Sequence, residues 1–197
     1  MAPQSRAIAV AVALSAAVLS ACSDAATAPD VKPSAMAALE SDLVRQRYAG
    51  YTPERAEQEG YARDRFCLDS ASFGLPAERG AMGFHATKSS LLRGPIDAEH
   101  PQALLFDADG RVIGVEYEIL AEAVPRAPEL FGRTFSKLPK HAGVEHEHYA
   151  LHVWFIDNPG GRFADFNPRL SCPVESTPRT SDYPGDPVVP EDHSGAH

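Results

Sequence analysis

Apolar and polar positions along the chain alternate in ways that predict helices early and strands late. Met36, Leu39, Leu43 and Tyr48 recur near one face of a helical period, with Ser34 placed to cap the start and Gly50 to close the end. A second helix start follows at once. Thr52 can cap, Pro53 suits the first helical position, and Glu54 with Glu57 complements the positive helix end, which predicts a helix to about Arg63. Residues 68–101 show weak periodicity and several glycines, and predict a long irregular connection of the kind that often carries function. Residues 103–106 and 112–120 predict strands joined by the turn Asp107-Ala108-Asp109-Gly110, and a third strand is expected over 148–156. Asn158-Pro159-Gly160-Gly161 then predicts a type II turn, and Phe163, Phe166 and Asn167-Pro168 lead to a last extended piece ending at Cys172. Helices first and strands afterwards predict an α+β fold in which two N-terminal helices precede a mainly antiparallel β-sheet, all in a single domain over 35–172.

The two ends hold little that a core needs. After Arg6, residues 7–19 form an uncharged run of Ala, Val, Ile, Leu and Ser, too short to span a bilayer as a stable helix but of the length of a secretory h-region. The following Leu19-Ser20-Ala21-Cys22 resembles the lipobox of bacterial lipoproteins, which implies a signal peptide over 1–21 and lipid on Cys22. Residues 22–34 read as a flexible tether. Residues 173–197, with Pro173, Pro178, Pro184, Pro187 and Pro190 among polar neighbours, read as a disordered Pro-rich tail.

Charge and cysteines narrow the setting. The formal net charge of -9 makes nucleic acid and anionic lipid surfaces poor partners. No polybasic run or basic amphipathic helix stands out, so attachment to a membrane falls to the lipid on Cys22. The expected location is the cell envelope, and Ser23 directly after Cys22 implies the outer membrane if the host is Gram-negative. With Cys22 lipidated, Cys67 and Cys172 remain, and in an exported chain such a pair is expected as a disulfide. Closing a loop of about 100 residues stabilises by roughly 4–5 kcal/mol in the chain-entropy treatment. The cysteines lack the close C-x-x-C spacing of structural zinc sites.

Strand alternation then points to chemistry. His146, His148, Ala150, His152 and Trp154 share one face of their strand, while Tyr149, Leu151, Val153 and Phe155 share the other. Both faces are apolar near the middle, which predicts a strand covered on both sides with His152 in or beside the core. In the hairpin strand Ile113, Val115, Tyr117 and Ile119 lie opposite Gly114, Glu116 and Glu118. If the polar faces coincide, Glu116 meets His148 and His152, with His85 arriving from the irregular segment. Three imidazoles and a carboxylate suit zinc, iron, copper or manganese. Two other readings fit the same residues: a polar cluster that merely satisfies itself inside a core, and metal-free acid/base catalysis. His141 and His146 fall in a polar stretch and are expected to be exposed. The alternative function is a metal-free module whose pocket, lined by Trp154, Tyr117 and phenylalanines, takes a small envelope ligand or a protein partner.

Several motifs are excluded. An EF-hand counted from Asp107 needs glycine where Val112 stands, and H-E-x-x-H from His146 needs histidine at Ala150. There is no G-x-S-x-G, phosphate loop or dinucleotide fingerprint, so no reaction follows.

Taken in order, Met82-Gly83-Phe84-His85, Val115-Glu116-Tyr117, Leu151-His152-Val153-Trp154, Asn158-Pro159-x-Gly161-x-Phe163 and Phe166-Asn167-Pro168-x-x-x-Cys172 resemble an uncharacterised family of exported bacterial lipoproteins, over about residues 49–172. The resemblance implies that Cys67, His85, Glu116, His148, His152 and Cys172 occupy recurrent motif positions, and it carries no reaction. The sequence departs from the pattern just after His85, at Ala86-Thr87.

Overall fold

The computed structural model describes residues 33–142 and 144–178. The signal peptide expected over 1–21, the lipidation expected on Cys22, nearly all of the expected tether and most of the expected tail lie outside them. In chain order the described residues form α1 (Pro33–Tyr48), α2 (Pro53–Gln58), β1 (Ala62–Asp69), β2 (Ala81–Thr87), β3 (Ala103–Phe106), β4 (Val112–Leu120), β5 (Glu129–Leu130), β6 (Arg133–Thr134), β7 (Ser136–Leu138) and β8 (His148–Trp154). Six strands make one sheet in the order β1-β2-β3-β4-β8-β7, every neighbouring pair antiparallel, while β5 and β6 form a separate small hairpin. Among the described residues no helix is long and apolar enough to cross a membrane.

The expected α+β fold with two N-terminal helices is therefore overturned: the domain is mostly antiparallel sheet, curled into a half-barrel, with little helix. The reason lies in which surfaces bury each other. Of the apolar positions that predicted a core-facing stripe on α1, Met36, Leu39 and Leu43 are 41 %, 55 % and 56 % exposed, and the helix is held mainly through Val44 and Tyr48. α2 is six residues long. Thr52 caps it, its side-chain oxygen accepting the Arg55 N–H at 3.3 Å, but the helix stops at Gln58 instead of running to about Arg63, which already lies in a strand that begins at Ala62. No separate helical layer forms: Val44 and Tyr48 of α1 and Ala56 of α2 join Phe131 and Phe135 in the core on one face of the curled sheet.

Two of the six strands fall wholly or partly in the stretch expected to be irregular. Their alternation is hidden by local breaks. The β1–β2 register shifts between Arg63 and Cys67 and again between Leu68 and Asp69. In β2, Gly83 has φ +94°, and a Cβ there would stand 2.6 Å from the Phe106 carbonyl oxygen, so only glycine lets β2 lie this close to β3.

The central strands have two buried faces. Every residue of β3 and β4 is buried. Leu104, Phe106, Val115, Tyr117, Leu151 and Val153 belong to the main apolar core, with Tyr48, Tyr51 and Tyr61 from the N-terminal segments. The opposite face carries Leu105, Ile113 and Trp154, a second apolar cluster around Met82, Phe73 and Phe166, and, between them, polar side chains.

The segment after β8 closes this second face. The Asn158 side chain donates to the Phe166 carbonyl at 3.1 Å, and Asn167 bridges backbone to backbone with Ala81 at the start of β2. The turn at 158–161 closes with Gly161 N–H donating to the Asn158 carbonyl at 2.9 Å. The left-handed residue is Gly161 rather than Gly160, so this is not the type II turn expected. Cys172 then reaches Cys67 on β1, the two joined as a disulfide across 105 residues with Cα atoms 5.5 Å apart. At the borders, α1 already begins at Pro33, and Val174–Ser176 forms a short 3-10 turn.

Candidate metal centre

The β4–β8 register sets the site. Glu116 pairs with His152, Glu118 with Ala150 and Leu120 with His148, so the even-numbered side chains of both strands share one face. On the other side of β4, Glu116 pairs with Ala103, which in turn pairs with Thr87 of β2. Ala103 is short, and over its methyl group Glu116 reaches diagonally to His85 of β2. His85 Nε2 lies 2.9 Å from Glu116 Oε2, and His152 Nε2 lies 3.7 Å from Glu116 Oε1. His152 is fixed by its neighbours: its ring stacks on Trp154 at 6.0 Å between centroids and meets His85 edge-on at 6.3 Å.

Potential ligand atoms of His85, Glu116 and His152 lie within 4.8 Å of one another, all three residues buried. His148, expected in the same set, stands instead in a second group with Glu116 and Glu118, again within 4.8 Å and buried. The four expected residues are thus distributed over two groups that share Glu116.

Two members of this cluster went unassigned from the sequence. Glu118 sits on the same strand face as Glu116, and that alternation could have found it. His141, expected to be exposed, is only 4 % accessible. The polar letters around it describe the rim of the β7–β8 connection. Backbone hydrogen bonds between His141 and Val144, both at 3.0 Å, turn the loop inward, and the imidazole packs edge-on against Phe73 at 5.3 Å and His148 at 5.0 Å. His146 is exposed, as expected.

Hydrogen bonding inside the cluster is incomplete. His85 Nδ1, Glu118 Oε1 and both ring nitrogens of His152 are buried without a hydrogen-bond partner. Leaving a buried polar group unpaired costs about 1–3 kcal/mol each. The cluster's own side chains therefore leave these four atoms open to a further partner.

Electrostatics point the same way. Burial pushes Glu116 upward, but the imidazoles of His152 and His85, the latter hydrogen-bonded to it, outweigh burial and hold the carboxyl well below the usual carboxylate range. Burial, and then the neighbouring Glu116 carboxylate, raise Glu118 well above that range. His148 and His152 are both lowered, chiefly by burial against an opposing pull from Glu116, and burial takes His141 down to about 3. Burial thus opposes proton uptake by His141, His148 and His152, and the imidazoles oppose proton uptake by Glu116, the directions in which metal binding also acts.

A cavity of about 20 Å³ adjoins the cluster, bounded by Asp64, His85, Thr87, Glu116, Glu118 and His141 among others. That is room for a single water or cation rather than an organic ligand. The aromatic pocket of the alternative reading does not form. Trp154 shares the face of Gly114 and His152, whereas Tyr117 points into the main core on the other side and donates to the Ala98 carbonyl at 2.6 Å.

No protein-family model, no curated protein and no solved structure matches the chain.

Proposed function

We propose that the protein is a lipid-anchored bacterial envelope protein whose β-domain binds a transition metal ion through His85, Glu116 and His152. The observation that carries the reading is His152: fully buried, stacked on Trp154, and with neither ring nitrogen hydrogen-bonded, its Nε2 directed at a carboxylate 3.7 Å away. One nitrogen of a neutral imidazole must offer a lone pair, and a metal is the partner that would use it. Two imidazoles and a carboxylate match the donor sets of zinc, iron, copper and manganese sites with further coordination positions open. Such a metal would supply Lewis-acid or redox chemistry, while the chain's own part is to orient the donors through strand register and keep them dry.

The envelope assignment rests on the lipobox-like Leu19-Ser20-Ala21-Cys22 after an apolar run, and on the Cys67–Cys172 disulfide, which suits an oxidising compartment. Metabolic labelling with a palmitate analogue tests it: label should enter the chain and vanish in Cys22→Ala, whereas label that persists in that variant removes the assignment. For the metal, elemental analysis of protein purified without a histidine tag should find bound transition metal, reduced by about 100-fold or more in affinity by His152→Ala, since even losses of supporting groups cost 10–100-fold. Equal, negligible metal in both proteins would remove the reading.

A further inference from the structure

We propose that the domain holds two metal ions, a second divalent transition-metal site being formed by His141, His148 and Glu118, with the Glu116 carboxylate shared between the two. This rests on the metal reading of the first site and extends it.

The tautomers carry the argument. His141 Nδ1 lies 2.9 Å from the Ala142 carbonyl oxygen, and His148 Nδ1 lies 3.1 Å from the His146 carbonyl oxygen. A carbonyl oxygen only accepts, so each Nδ1 carries its ring's proton. Each Nε2 is then a bare lone pair, and these two nitrogens face each other 3.4 Å apart in the buried interior. Two acceptors at that distance do not hydrogen-bond. A proton added to either ring to bridge them would bury an imidazolium, since His141 is 4 % and His148 0 % exposed. A cation bound to both nitrogens turns the repulsion into two bonds.

Three further observations converge. Metal-ligating histidines characteristically donate their other N–H to a backbone carbonyl or carboxylate, and both of these do so. Two nitrogens each about 2.05 Å from a tetrahedral zinc are about 3.3–3.4 Å apart, which the observed 3.4 Å separation reproduces. Glu118 Oε1 is buried with no hydrogen-bond partner, and its carboxylate lies within 4.8 Å of ligand atoms of His148 and Glu116. Because Glu116 also belongs with His85 and His152, its two oxygens can serve neighbouring ions, the arrangement of carboxylate-bridged two-metal sites.

The test is stoichiometry. The full exported chain without a histidine tag is loaded with excess zinc, dialysed against metal-free buffer and analysed for zinc per chain. Wild type should retain two equivalents, and His148→Ala and His152→Ala one each. Glu118→Gln, nearly isosteric, should weaken the second equivalent by about 10-fold or more while sparing the first. One equivalent in wild type, unchanged in Glu118→Gln, overturns the second site and leaves the first standing. No zinc in wild type overturns both. Two equivalents that persist in both His148→Ala and Glu118→Gln would place the second ion elsewhere and sink the proposal. Should His148→Ala fail to fold, the wild-type count and Glu118→Gln decide between these outcomes.

Discussion

His152 shows how a single side chain can be a liability in one state of a protein and an asset in another. Its ring is fully buried and neither nitrogen is hydrogen-bonded. Replacing a buried polar group that makes no hydrogen bond by an apolar side chain of similar size is close to neutral, and His85 stays hydrogen-bonded to Glu116. His152→Leu should therefore shift the stability of the metal-free protein by less than about 1 kcal/mol, while reducing the rise in melting temperature that zinc gives wild type to the part supplied by the second ion. A large loss of stability in the metal-free variant would argue that His152 holds the core together instead. The same residues set the response to acid. His141, His148 and His152 have native pKa values depressed below the ordinary 6.5. The unfolded chain thus takes up protons below about pH 6.5 that the native state refuses, and stability falls as pH drops. Glu118 works in the opposite sense. Its raised pKa lets the native state keep a proton that the unfolded chain loses above 4.5, so its contribution declines as pH rises. Between 4.5 and 6.5 three histidines outweigh one carboxyl, and below 4.5 the depressed Glu116 adds to the acid effect. Urea midpoints of metal-free protein should fall from pH 7 to pH 5, each unbalanced proton contributing on the order of 1 kcal/mol per pH unit. A flat profile would contradict the burial of neutral imidazoles.

At the scale of elements, the site is a consequence of strand register. Glu116 faces His152 because β4 and β8 pair without a bulge from Gly114↔Trp154 to Leu120↔His148. Gly114 secures that approach, since a Cβ there would stand 2.9 Å from the Val153 carbonyl oxygen and 3.2 Å from a Leu105 methyl. Gly114→Val should cost about 1–3 kcal/mol through overpacking and weaken metal retention by spreading β4 from β8. Leu39→Ser, on an exposed position of α1, should stay within about 0.5 kcal/mol of wild type. Comparing their thermal unfolding checks both. These contrasts also explain what was legible beforehand. β3, β4, β8 and the shared face of Glu116 and His152 follow from period-two alternation, which the register preserves. β1 and β2 were hidden because a bulge and the left-handed Gly83 interrupt the alternation of their residues. The helical period of α1 was legible but misleading about fold class, because spacing alone does not say whether a stripe meets a core or solvent. His141 was out of reach for a different reason, since only the loop reversal at Val144 carries it inward.

For the whole molecule, stability should depend on two ties. The Cys67–Cys172 bridge fixes edge strand β1 to the segment that closes the polar face. Replacing both cysteines by serine should cost about 2–5 kcal/mol, read as a lower urea midpoint, and an unchanged midpoint would count against the bridge. Metal is the second tie. At a free concentration 100 times its dissociation constant, an ion that binds only the folded state adds about 2.7 kcal/mol, so chelation should lower the melting temperature and zinc should restore it. The most direct measurement is anomalous diffraction from crystals of tag-free protein soaked in zinc. A peak bonded to Glu116 together with His85 and His152 is the expected result. Zinc confined to exposed side chains such as His100 or His146, with no peak at Glu116, would contradict the metal centre.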